Sequence, residues 1–91
     1  MSSLEFETEE MRPVEAWCSE TEIHVRLKDG REIATPLWWH PFVAALNAQD
    51  RNEIELMHSG LWWEAADEGV SIKSMFMGWK SPGAVEPVKA A

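Results

Sequence analysis

The pattern that most restricts the fold of this chain is the strict alternation of apolar and polar residues over positions 22–28. The apolar members are Ile23, Val25 and Leu27. This period of two is typical of a strand with one buried and one solvated face. Asp29-Gly30 follows directly and favours a type I′ hairpin turn, because both central positions of that turn need positive φ. The sequence therefore predicts a hairpin whose second strand covers residues 31–35.

A third strand is predicted before this hairpin. From Pro13, three small or apolar residues alternate with Glu15 and Trp17, so we expect them to face the core. They are Val14, Ala16 and Cys18. The first half of the chain is then an antiparallel meander, which Pro36 ends. A three-stranded meander needs other elements to cover its apolar face.

The second half supplies short elements that can cover it. His40-Pro41 is expected to open a helix, since proline suits the first helical position, and Asp50 to cap a following turn. Ile54 and Leu56 alternate with glutamates as a fourth strand, and residues 61–63 form a short fifth strand.

The stretch Leu61 to Gly78 holds the densest set of signals. After the fifth strand we expect an acidic turn at Asp67-Glu68, then a helix with Ser71 at its N-cap and Gly78 at its left-handed end. The predicted fold class is therefore α+β: a small antiparallel sheet, made of a three-stranded meander plus two short strands, with two short helices packed on one face. The expected division is a flexible acidic N-terminus over 1–11, one domain over 12–80 and a loose tail over 81–91.

Charge limits the classes of partner. The formal net charge is −8, and residues 1–22 carry seven acids against one base. Such a surface repels phosphate backbones, which disfavours direct nucleic-acid binding. It is compatible with a basic protein partner, and equally with a solvated acidic face that only confers solubility.

Other residues argue against familiar chemistry. Cys18 is the only cysteine, so neither an internal disulfide nor a thiolate cluster can form. His24, His40 and His58 lack zinc-ligand spacing, and Asp67-Glu68 lacks the separation of a catalytic carboxylate pair. We expect no catalytic residue, cofactor or metal. The chain has no apolar run of membrane-spanning length and no leader, which points to the cytoplasm.

The order of these features resembles the bacterial DUF2442 family, a domain family of unknown function, over about residues 12–79. The matching residues are Asp29-Gly30-Arg31, Pro36-Leu37, Pro41, Leu46, Arg51, Glu55-Leu56, Gly60, Trp63, Asp67-Glu68, Val70-Ser71-Ile72 and Gly78. The resemblance implies a small stand-alone module. Some members are joined to a helix-turn-helix domain, and many look like the antitoxin-side neighbour of a small basic protein. Glu64, Ala66, Gly69 and Lys73 depart from the family pattern, so the acidic turn is weaker in this chain.

The tryptophans carry the functional hint. Neighbours in a strand face opposite ways, so one of Trp62 and Trp63 is expected inside and the other outside. The resemblance, in which Trp63 stands at the family's tryptophan position, implies that Trp63 is in the core and Trp62 faces outward. Exposed tryptophan is enriched at binding hot spots. We therefore hypothesise a non-catalytic protein–protein interaction module, antitoxin-like or adaptor, that binds a basic protein partner. The predicted partner-binding residues are Trp17, Trp38, Trp62, Glu64, Asp67 and Glu68.

Three alternatives stay open at this point. The outer tryptophans could pack only against Lys and Arg stems, with no partner. The acidic N-terminal third could serve a phage-type inhibitor that mimics nucleic acid. A small metal-binding or enzymatic domain is the third. A homodimer is compatible with any of these, because bare aromatic strand faces can pair.

Overall fold

A computed structural model describes residues 9–88 and shows an α+β domain of two three-stranded antiparallel sheets and three short helices. The first sheet contains β1 (Pro13–Cys18), β2 (Glu22–Leu27) and β3 (Glu32–Pro36) in that order. The second contains β4 (Ile54–Leu56), β5 (Gly60–Trp63) and β6 (Glu68–Ser71). The helices are α1 (Pro41–Ala44), α2 (Ala48–Arg51) and α3 (Ile72–Met77). None of them is long and apolar enough to span a membrane.

The predicted fold class is confirmed, and the meander is present as expected. The core takes its central residues from β2, where Ile23, Val25 and Leu27 are almost fully buried. The second sheet adds Leu61 and Trp63, and α3 adds Ile72 and Met75. The edge strand β1 lies against β4, while α3 contacts β3, β5 and β6, so the two sheets enclose one shared core.

The hairpin turn differs from the predicted type I′. Gly30 has φ 97°, but Asp29 does not have a positive φ. The amide of Gly30 donates to the carbonyl of Leu27 at 2.9 Å, and the amide of Leu27 donates to the carbonyl of Arg31 at 2.8 Å. The loop therefore has three residues, with glycine at the left-handed position. Asp29 accepts from the backbone and side chain of Arg31, which fixes this geometry.

A bulge corrects the predicted orientation of β1. Pro13 pairs with Leu27 and Glu15 pairs with Arg26, so Val14 is an extra residue in the ladder. Val14 is exposed and Pro13 is buried, the reverse of the expected phase, because a bulge resets the alternation. Ala16 and Cys18 pack against the core as predicted.

The segment between the sheets is more broken than predicted. Residues 37–39 form a 3₁₀ turn, α1 is a single turn, and α2 follows it separately. Asn47, and not Asp50, is the cap: its side chain accepts from the amide of Asp50 at 2.8 Å. The side chain of Asn47 thus caps the start of α2.

The sixth strand was not predicted. β6 pairs with β5 through Leu61–Val70 and Trp62–Gly69, and residues 64–67 form the turn that joins the two strands. The predicted cap of the next helix is confirmed, since Ser71 accepts from the amide of Ser74 and Gly78 ends α3 at φ 74°. β6 was missed because only Val70 of its four residues is buried.

The ends of the chain are described in part. Residues 9–11 form a 3₁₀ turn in which Met11 is only 7% exposed, so the folded part extends at least to Glu9. The expected flexibility of the N-terminus and the loose tail falls partly on residues 1–8 and 89–91, which lie outside the described residues.

Candidate functional site

The β5–β6 hairpin presents Trp62 on the outer face of the second sheet. Trp63 is 0% exposed and Trp62 is half-buried, so the predicted split of this pair is confirmed. The indole Nε1–H of Trp62 donates to Glu64 Oε1 at 2.9 Å. This bond satisfies the polar edge of the ring and leaves its apolar area partly open, a combination enriched at interfaces.

Glycine opposite Trp62 determines how the ring lies. Gly69 is the cross-strand partner of Trp62, and a Cβ atom at Gly69 would stand 2.9 Å from Trp62 Cε3. The ring therefore packs against the backbone of β6 at Gly69. An apolar ring held in place by its neighbours suits a binding surface.

Two carboxylates lie next to this ring, and a third lies in the adjoining turn. Glu55 is the other cross-strand neighbour of Trp62, and directly opposed residues share a face of the sheet. Glu64 is hydrogen bonded to the ring, and Asp67 lies in the turn with φ 54°. Within residues 9–88 none of these three acids forms an ion pair. We call Trp62, Glu55, Glu64 and Asp67 the hairpin surface.

Glu55 belongs to the hairpin surface but was not among the predicted site residues. Glu68 was predicted as a site residue but does not belong to the hairpin surface. Glu68 pairs with Trp63, whose side chain points into the core. Its side chain therefore leaves β6 on the face opposite to Trp62, at the exposed rim of the sheet. The alternation of Glu55 with core-facing Ile54 could have identified it, had the β4–β5 register been known.

The other predicted tryptophans lie elsewhere. Trp17 is on the outer face of the first sheet, where it stacks on its cross-strand partner His24 with ring centroids 5.2 Å apart. Trp38 lies in the 3₁₀ turn, edge-on to Trp39. The Nζ atom of Lys80 stands 4.6 Å from the Trp39 ring and 5.9 Å from the Trp38 ring. Each of these indoles therefore has an aromatic or cationic neighbour within the fold.

Trp79 was not among the predicted partner-binding residues. It is 53% exposed, while the other tryptophans are buried or half-buried. Met77, just before it, is 49% exposed. Its place after a helix-ending glycine was the available signal. The amide of Trp79 donates to the carbonyl of Ser74 at 3.0 Å, and Lys73 Nζ lies 5.9 Å from the centre of its ring.

His40 is the most deeply buried ionisable side chain at a cavity. It is 2% exposed; Nδ1 lies 2.8 Å from Ser81 Oγ, and Nε2 has no hydrogen-bond partner among the described residues. Burial lowers the pKa of His40. A serine–histidine pair acts in catalysis when a third group orients the histidine, and no described residue binds Nε2. This arrangement fixes residues 79–81 to the core.

The remaining candidates for chemistry are dispersed. Cys18 Sγ donates to the carbonyl of Arg51 at 3.4 Å, and burial raises the pKa of its thiol to about 11. Thiolate chemistry needs a lowered pKa. Across the part of the chain that the structure describes, no three His, Cys, Asp or Glu side chains cluster closely enough to hold a metal ion.

Residues 13–81 match the family model described as "Protein of unknown function (DUF2442)". The chain belongs to this family. The match runs from the start of β1 to Ser81, the residue that bonds His40, so it spans both sheets and all three helices. The family carries no described activity.

One solved structure shares the fold of this DUF2442 member. It is the crystal structure of a protein of unknown function from Rhodospirillum rubrum ATCC 11170, at 2.75 Å resolution. The two chains are 21% identical with a TM-score of 0.70, and the match covers 80% of this chain and 93% of the other. The two proteins therefore share a fold. No curated protein matches the chain.

Proposed function

We propose that this protein is a non-catalytic protein–protein interaction module that binds a basic protein partner through the hairpin surface. One observation carries the proposal: a half-buried indole lies next to Glu55 and Glu64, with Asp67 in the adjoining turn, and none of these carboxylates forms an ion pair within residues 9–88. Here the charge stays available to a partner.

The chemistry of the surface defines that partner. Trp62 offers apolar area and a cation–π face, on which an arginine or lysine can stack. Glu55 and Glu64 can accept charge-assisted hydrogen bonds from that arginine or lysine side chain. A partner with an exposed arginine or lysine among apolar residues fits, as in an antitoxin-like pair or an adaptor. We propose the cytoplasm as the site of action, where the single thiol of Cys18 stays reduced.

The nucleic-acid mimic is less well supported by the described acids. Glu15 pairs with Arg26 at 2.5 Å, Glu22 lies 3.4 Å from His24, and Glu9 pairs with Arg12 and Lys28. Three of the acids on which that reading relied thus already have partners within the fold. A mimic needs a run of unpaired negative charge.

Affinity capture followed by calorimetry tests the proposal. The tagged protein is used to isolate proteins from its native host, and each captured protein is purified and titrated with defined variants. Trp62→Ala should weaken binding of a basic captured protein about 30-fold or more, the effect of losing a hot spot. Trp17→Ala, which removes a half-buried tryptophan from the other sheet, is the matched control and should leave affinity within about threefold. Equal affinity of wild type and Trp62→Ala would refute the proposed site.

A further inference from the structure

The shared core is left open at one end within residues 9–88. Leu56 lies on the core-facing side of β4, since it is the cross-strand partner of Leu61. Leu61 is 2% exposed, whereas Leu56 is 42% exposed. Val14, the extra residue of the β1 bulge, and Met57, which follows β4, are exposed to a similar extent. Three apolar side chains therefore reach solvent where β1 lies against β4.

These side chains line a groove of about 390 Å³, together with Pro13, Glu9, Arg12 and Lys28. Arg12 Nη1 lies 2.9 Å and Lys28 Nζ lies 3.6 Å from the same carboxylate oxygen of Glu9. Two bases thus share one acid, and the lining is positively charged in a chain whose net charge is −8. The groove is complementary to an occupant that is both apolar and acidic.

The N-terminal segment of the chain meets the domain at this groove. Glu9 is the first residue that the structure describes, and it lines the groove. The carbonyls of Glu10 and Arg12 accept from backbone amides of the β2–β3 hairpin, at 3.1 and 2.8 Å. These bonds hold the backbone beside the groove from residue 10 onward. The segment that precedes Glu9 therefore starts at the edge of the groove.

We propose that residues 4–7 of the same chain occupy this groove. Their sequence, Leu-Glu-Phe-Glu, alternates apolar and acidic residues. In an extended segment alternate side chains point to opposite sides, so Leu4 and Phe6 enter the groove together while Glu5 and Glu7 stay at its charged rim. Five residues of extended chain span about 17 Å, so Leu4 can reach the far side of a groove of this volume.

Occupation of the groove completes the core at its open end. It removes the apolar surface of Leu56, Val14 and Met57 from water, which stabilises the fold. The hairpin surface stays uncovered, because Glu55 and Leu56 are neighbours in β4 and face opposite ways. The inference is therefore independent of the proposed function.

Methyl NMR of the full chain, labelled with ¹³C at its methionine methyl groups, tests the contact. In wild type the Met57 methyl should show a nuclear Overhauser contact to the Phe6 ring. Its signal should shift in the variant Leu4→Ser/Phe6→Ser, which removes that ring. Met77 is 49% exposed against 45% for Met57 and ends α3, so it is the matched control and should keep its signal. A Met57 signal that is identical in the two proteins would overturn the proposal.

A double-mutant cycle measures the energy of the same contact. Phe6→Ser and Leu56→Ala are compared singly and together by urea denaturation of the full chain. Their effects should be coupled by about threefold or more in the unfolding equilibrium constant, as for residues in contact. Ser3→Ala replaces Phe6→Ser in the control cycle and should be additive with Leu56→Ala. Additive effects of Phe6→Ser and Leu56→Ala would contradict the docked segment.

An isotope-filtered experiment on an equimolar mixture of labelled and unlabelled protein identifies the copy that supplies the segment. The contact between Phe6 and Met57 should arise within one chain. A contact that appears only between labelled and unlabelled chains would assign the groove to the N-terminal segment of a second copy, and would overturn the proposal as stated.

Discussion

Trp62 and Gly69 are cross-strand partners, and the glycine is what allows the indole to pack against the backbone of β6. A Cβ atom at Gly69 would stand 2.9 Å from Trp62 Cε3 and 2.5 Å from the carbonyl oxygen of Leu61. The first of these contacts would be with the indole ring, and the second would be with the backbone of β5. The absence of a side chain at position 69 therefore supports both the binding surface and the β5–β6 pairing.

Gly69→Ala should destabilise the fold by about 1–3 kcal/mol, the usual effect of forcing an extra carbon into a packed site. Urea denaturation gives the free energy of unfolding. The double variant Gly69→Ala/Trp62→Ala should recover only part of the lost stability, because the contact of the new Cβ atom with the Leu61 carbonyl persists. Complete recovery in the double variant would mean that the ring alone requires glycine.

Trp63 links the second sheet to α2. Its indole Nε1–H donates to the carbonyl of Arg51 at 2.9 Å, and its ring is fully buried against Phe42, with ring centroids 5.9 Å apart. Trp63→Phe should destabilise the protein by about 2–4 kcal/mol, through a lost hydrogen bond and a cavity. Trp17→Phe on the outer face is the comparison and should lower the unfolding free energy by less than about 1 kcal/mol. Similar losses for the two variants would contradict the assigned core.

The N-cap of α3 is a third test. Ser71 Oγ accepts from the amide of Ser74 at 3.0 Å. Ser71→Ala should lower the unfolding free energy by about 1 kcal/mol, since it leaves a helix N–H without its partner, whereas Ser71→Asp should retain most of the stability. Thermal melts followed by circular dichroism compare the two. An alanine variant as stable as wild type would show that solvent replaces the cap fully.

Stability should fall between pH 7.5 and pH 5.5 because of His40. Burial lowers the pKa of His40 below its ordinary value of 6.5, so the unfolded chain takes up a proton here that the folded chain does not. Stability increases with pH wherever the unfolded state binds more protons, and it is therefore lost as the pH drops through 6.5. The pKa of Glu9 is lowered from its ordinary value of 4.5 by Arg12, and the pKa of Asp29 is lowered from 3.8 by Arg31. These two acids therefore change the pH dependence of stability only at lower pH.

Urea titrations across this pH range measure the effect, with His40→Asn as the variant. Asparagine can still bond to Ser81 but does not titrate. The variant should show a smaller slope of stability against pH than wild type. Equal slopes would assign the pH dependence to other groups.

The sequence analysis succeeded where local pattern and burial agree. The alternation at Ile23, Val25 and Leu27 reports one buried face directly, and Ser71 and Gly78 mark the ends of α3 through backbone chemistry that needs no tertiary information. That Trp62 and Trp63 face opposite ways followed from strand geometry, and the choice of Trp63 for the core followed from the family resemblance.

The sequence pattern does not predict the structure where strand pairing or tertiary contacts determine it. A bulge at Val14 reversed the phase of β1 locally, and no period in the sequence signals the extra residue. β6 holds a glycine and two polar residues, and it is a strand because it pairs with β5. Glu55 joins Trp62, and Glu68 does not, because of a register that sequence spacing leaves undetermined.

The most direct test of the hairpin surface is an ¹H–¹⁵N NMR titration of the labelled protein with the basic protein that it captures. The indole N–H signals are assigned by replacing each tryptophan with phenylalanine. We predict that the Trp62 Nε1–H and the amides of Glu55 and Glu64 shift most, while the Trp17 and Trp63 indole signals stay in place. Shifts centred on Trp17 and His24, with the Trp62 signal unmoved, would contradict the account.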